Sequence, residues 1–165
     1  MALAEETLRR LLVAKHLLAS SGGQLTPHSD ATTVARMILA AHDAAELALA
    51  AIASHANVSG LRDQTYLMDY PGRIASAAGL PFPGTDYLRQ LNAARVAFKH
   101  HGILPDARTW YRVVDTIWDR IDQWCQTYLG VSLDDIDLEQ LLADAVVKQH
   151  YQHAKVAHRE NRYRS

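Results

Sequence analysis

The chain is short of several things, and each shortage narrows what it can be. Cysteine occurs once, at Cys125, so no internal disulfide staples the fold and the chain suits a reducing compartment. Eight glycines and five prolines among 165 residues exclude collagen-like and low-complexity compositions. Neither sign of charge dominates: 17 Lys and Arg against 18 Asp and Glu give a formal net charge of −1, which removes any global electrostatic case for nucleic-acid binding. Long apolar runs are scarce as well, and none approaches the roughly 18 residues expected of a membrane span. The opening segment MALAEETLRRLLVAKHLLASS places acids before its arginines, unlike a secretory signal. These features predict a cytoplasmic chain with no membrane partner.

What is present is the composition of an ordinary globular protein, 48% hydrophobic and 21% charged, with the length of one domain covering residues 1–165. Helical periodicity recurs in five places and period-two alternation in none, which predicts an all-α fold, an up-and-down bundle of four or five helices. The first helix covers residues 3–20 and stops at Ser20-Ser21-Gly22-Gly23; its apolar stripe takes in Lys15. Ser29 or Asp30 caps a second helix running to about Asn57, with an apolar face from Val34 to Ile52. Residues 58–84 hold most of the Gly and Pro and predict short helical turns near Tyr66–Asp69 and Ile74–Ala78; a loop-rich stretch of that length is either functional or poorly ordered. A third helix runs from Thr85 or Asp86 to Gly102, and a fourth from Pro105-Asp106 to Gly130 along Trp110, Val114, Ile117, Ile121, Trp124 and Tyr128. The fifth starts near Asp137, where Asp137 and Gln140 have capping-box spacing, and reaches about His158. Charge is segregated here: Asp134, Asp135, Asp137, Glu139 and Asp144 precede Lys148, Lys155, Arg159, Arg162 and Arg164, in the sense that complements a helix dipole, a reading favoured over a dedicated RNA-binding tail.

Chemistry concentrates in the stretch LNAARVAFKHHG, residues 91–102. With Tyr87, Leu91, Ala94 and Phe98 as the core face of the third helix, Asn92, Arg95 and Lys99 share one edge of it. Arg there either presents its fork of donors to a phosphate or carboxylate, or pairs with acids of a neighbouring helix. His100 lies about 140° round the wheel from Arg95, so a straight helix is not expected to bring them together. A loosened last turn or a second protomer would do so; otherwise His100 and His101 simply meet the C-terminal dipole. On the second helix His42 and Glu46 are i, i+4 neighbours at the rim of the apolar face, with Asp43 further round. They suit a carboxylate that orients a histidine or arginine. A carboxylate-histidine metal centre would need a matching Glu-x-x-His on another helix, and none appears, so no metal and no cofactor are expected. His150 and His153, at i and i+3, fit a solvated face better than a metal pair, and Cys125, beside Trp124, fits a buried inert thiol. Walker loops, G-x-S-x-G elbows and H-E-x-x-H motifs are missing.

The run R95-V-A-F-K-H100 resembles the Arg-x4-His motif of the HEPN superfamily, all-helical domains that often act as RNases in toxin–antitoxin and other defence systems. The likeness spreads more loosely over residues 30–130. It implies a homodimer whose motif helices meet in a shared cleft, with Arg95 and His100 as catalytic residues of a metal-independent endoribonuclease. Asn92, Lys99, His101, Glu46 and His42 would be supporting or anion-binding groups. Active members commonly carry a polar residue after the arginine, where this chain has Val96. The resemblance therefore leaves two expectations: RNA cleavage, or a non-catalytic dimerisation module that binds a nucleotide, an RNA or a partner protein.

Overall fold

The computed structural model describes residues 3–20, 25–61, 65–143 and 145–162, and every regular element among them is helical. The elements are α1 (Glu5–Ser20), α2 (Ala31–His55), α3 (Tyr70–Ala78), α4 (Thr85–His101), α5 (Ala107–Asp115), α6 (Ile117–Leu129) and α7 (Ala145–Arg162), with single 3-10 turns at Leu67–Asp69 and Leu138–Leu141. Ser21, Gly22, Gly23, Asp144, Arg164 and the side chains of Arg159 and Arg162 lie outside what is described.

The bundle is built round α2, which packs against α1, α3, α4, α5 and α6. Its alanines allow this: Ala41, Ala44, Ala45, Ala48 and Ala51 are fully buried beside Ile38, Leu49 and Ile52, so neighbouring backbones approach closely. By length and composition α2 is apolar enough to cross a membrane, contrary to the expectation from short apolar runs, and in this fold that apolarity is spent on five neighbouring helices. Asp30 starts α2 by accepting from the Thr33 N–H at 2.9 Å and the Thr33 hydroxyl at 2.6 Å. Its end is closed by Asn57 at φ 52, after which the Val58 N–H reaches back to the Ala53 carbonyl at 2.9 Å.

Two expectations need correction. The long fourth helix is broken into α5 and α6 at Thr116. The Val113 carbonyl accepts from the Tyr87 hydroxyl at 2.8 Å and from the Thr116 hydroxyl at 3.2 Å; side chains entering the hydrogen-bond ladder in this way interrupt a helix. The fifth helix likewise does not start at Asp137. The capping box of Asp137 and Gln140 is present, but it opens only the Leu138–Leu141 turn, and α7 begins later. Asp137 then ties α7 back, accepting from Tyr151 at 3.0 Å and pairing with Lys155. Lys15, expected in an apolar stripe, turns its ammonium onto the carbonyls of Leu133, Asp134 and Ile136 at 2.9–3.1 Å, its stem lying along the core edge.

The placement of α4 follows from the segment before it. Trp124, fully buried, donates its indole N–H to the Pro83 carbonyl at 2.9 Å, and Phe82 lies against both Trp124 and Tyr128. Gly84, at φ 84, then turns the chain into the helix. Leu88, Leu91 and Ala94 are buried, whereas Phe98, expected in the core, is only half-buried. The last turn of α4 therefore runs past the end of the core and presents its polar residues.

Candidate anion-binding cleft

Three elements enclose a cleft of about 550 Å³. From α4 come Asn92, Arg95, Val96, Lys99 and His100; from α2, His42 and Glu46; and the turn at Tyr66, Leu67 and Met68 closes the third side. Six of the seven residues singled out in the sequence thus meet in one place. His101 does not: it is exposed and lies outside the cleft. Arg95 and His100 line the same cleft within one protomer, although they stand about 140° apart round the helix. They stand at its two edges with Val96 between them, because the cavity takes up a broad arc of α4.

Helix α4 ends cleanly just past this group. Gly102 adopts φ 66, its N–H bonds to the Phe98 carbonyl at 3.0 Å, and the Ile103 N–H bonds to the Ala97 carbonyl at 3.0 Å. Only a residue free of Cβ strain takes that conformation easily, and it fixes Lys99 and His100 in a final turn with a favourable dipole.

His42, expected at a rim, is only 3% exposed. Its Nε2 sits 3.3 Å from Asn92 Oδ1, while Nδ1 faces Asp43 Oδ1 at 3.5 Å and Glu46 Oε2 at 3.9 Å and makes no hydrogen bond. The imidazole thus links the amide on α4 to the two carboxylates on α2, and its orientation is set by burial and by Asn92. The donor atoms of His42, Asp43 and Glu46 lie within 4.8 Å of one another, close enough to hold a cation. Positive charge already acts there: the Asp43 carboxyl is held below its ordinary range first by His42, and also by Arg95 and Lys99. This arrangement fits a polar relay better than a metal centre.

Arg95 is the anomaly. It is half-buried, its Nε is shielded from solvent without a hydrogen-bond partner, and it makes no ion pair within 4 Å among the described residues. An unmet buried donor is costly, and a planar guanidinium held this way can offer its fork of donors to a carboxylate or phosphate. Lys99 and His100 are exposed and make no hydrogen bond or ion pair within 4 Å among the described residues, Lys99 acting on Asp43 only at longer range.

Sequence reasoning missed Tyr66. It is 75% exposed at the cleft, and its only advance signal was its position in the Gly- and Pro-rich segment. Elsewhere, His150 and His153 are exposed on α7, as expected of a solvated face. Cys125 is buried, and burial first, then Asp122, pushes its thiol up to about 12. No family model, curated protein or solved structure matches the chain.

Proposed function

We propose that this cleft binds a phosphodiester of RNA and supports its metal-independent cleavage. The observation that carries the reading is the half-buried Arg95, whose Nε has no hydrogen-bond partner among the described residues, in the same cleft as the exposed imidazole of His100. Arg95 binds the non-bridging phosphate oxygens and steadies the charge that builds on them, with Lys99 adding a second cation. The ribose 2′-hydroxyl attacks phosphorus while its proton passes to a base, and the P–O5′ bond breaks as the leaving oxygen takes a proton. The products are a 2′,3′-cyclic phosphate and a 5′-hydroxyl. The exposed imidazole of His100 serves one of these transfers. A second copy of the chain, placed against the first by two-fold symmetry, would bring the other imidazole. Asn92, His42 and Glu46 hold the wall against which Arg95 is presented.

The likeness of R95–H100 to the HEPN motif supports this reading and suggests a role in defence or toxin–antitoxin systems. A second reading, nucleotide, RNA or partner binding without cleavage, rests on Val96, an apolar cleft residue where active members of the resembled superfamily commonly carry a polar one. The test is incubation with structured RNA in EDTA. Cleavage to cyclic-phosphate ends that is lost in both Arg95→Ala and His100→Ala supports catalysis. RNA retained by the protein but never cut favours the second reading, and neither binding nor cleavage rejects both.

A further inference from the structure

A second and larger cavity, of about 730 Å³, adjoins the cationic cleft, sharing Glu46 and Thr65 with it. Its chemistry differs. Ser54, Asn57 and Tyr70 line it with hydroxyl and amide groups beside the apolar Leu47, Val58 and Leu61. Its one arginine is committed elsewhere: Arg10 donates to the Ala50 carbonyl at 3.2 Å and pairs with Glu6. Among the described residues, the cavity therefore offers no free cation to attract a second phosphate.

Two of its polar groups bear on what it could hold. Tyr70 lines the cavity as a largely buried residue, and its hydroxyl is not one of the solvent-shielded atoms without a partner. Burial, and next the Glu46 carboxylate, push that hydroxyl above its ordinary range, so it remains a neutral donor. Asn57 sits at the end of α2 in the left-handed region, φ 52, where its exposed amide can both give and accept hydrogen bonds. Next to the shared Thr65, the cationic cleft is lined by Tyr66, the most exposed large apolar side chain in the described structure. An open aromatic beside a phosphate site suits an unstacked base.

Resting on the phosphodiester reading, we infer that the adjoining cavity is a nucleobase subsite, so that the ligand is an unpaired ribonucleotide segment. Its phosphate lies on Arg95 and Lys99, one base stacks on Tyr66, and a neighbouring base reaches Tyr70 and Asn57. A paired base would offer neither an open face to Tyr66 nor a free edge to the amide.

Binding of nucleoside monophosphates and of ribose 5-phosphate, measured by calorimetry on the full chain, tests this directly. Nucleotides are expected to bind at least about tenfold more tightly than the sugar phosphate, and Tyr70→Phe and Asn57→Ala to remove most of that difference. Both changes lie on the cavity wall, and unaltered binding of ribose 5-phosphate in the same variants reports that the fold and the cationic cleft are intact. Equal affinity for both ligands, lost in Arg95→Ala, would overturn the base subsite and leave the phosphate reading standing. No binding of either ligand would overturn both. A single-stranded oligonucleotide that binds no better than its duplex, or that is indifferent to Tyr66→Ala, would also reject the inference.

Discussion

Replacing Arg95 with methionine is expected to make the protein more stable while abolishing its response to phosphate. The side chain keeps a similar apolar stem and a good helix propensity, but the Nε that is buried without a partner disappears. Leaving such a donor unmet costs about 1–3 kcal/mol. Against that gain stands the lost attraction to Asp43, which is more than half exposed and therefore accounts for a few tenths to about 1 kcal/mol. The balance is a stabilisation of about 1 kcal/mol, or a rise in Tm of about 2–4 °C for a chain of this size. Phosphate at about 100 times its Kd adds about 2.7 kcal/mol to the wild-type protein by mass action and nothing to the variant. Urea denaturation with and without phosphate reads both effects. A variant destabilised by more than about 1 kcal/mol would mean that Arg95 is a structural residue, and its unmet donor would then say nothing about a ligand.

Other parts of the fold make separate predictions. Asp137 is partly buried, which raises its carboxyl, but hydrogen bonds from Lys155, the Glu139 backbone and Tyr151 prevail and hold it at about 2, below its ordinary 3.8. Because the folded value is the lower one, its stabilisation of α7 is present above pH 3.8 and lost as pH falls toward 2. Hydrogen exchange along α7 should rise over that window, and Asp137→Asn should weaken docking at neutral pH by on the order of 1–2 kcal/mol after solvent screening. Trp124→Phe removes the donor to Pro83 and is expected to cost about 1–3 kcal/mol in chemical denaturation. Full retention of stability would detach Trp124 from the placement of α4. The Cys125 thiol, pushed up to about 12, should resist alkylation at about pH 8 in the native state and react promptly in urea; rapid native reaction would contradict its burial.

Local signals make much of this fold readable. Asp30, Gly102 and Gly130 mark helix ends through their own capping chemistry, and the 58–84 segment announces its turns by composition. The break at Thr116 is not readable, because it depends on a hydroxyl arriving from Tyr87 on another helix. Nor is the division between the Leu138–Leu141 turn and α7, since a capping box signals a helical start but not how many turns the helix will have. In the cleft, spacing along α4 and α2 picks out six residues that line one cavity. A helical wheel tells whether Arg95 and His100 can touch along α4, but a cavity as wide as this one is lined by both without contact between them. Tyr66, Tyr70 and Asn57 carry no such local signal, because their meaning comes from cavities formed between elements distant in sequence.

Arg95 and His100 must serve one oxyanion if the cleft works as proposed. The most direct measurement follows the arginine Nε–H and histidine side-chain resonances by ¹⁵N NMR while a cleavage-resistant 2′-deoxy dinucleotide is added. The Arg95 Nε–H is expected to begin in the range of an unbonded donor, and it and His100 are then expected to shift together with one Kd. An Arg95 Nε–H already hydrogen-bonded in the free protein, or a ligand that moves neither resonance, would contradict the assignment.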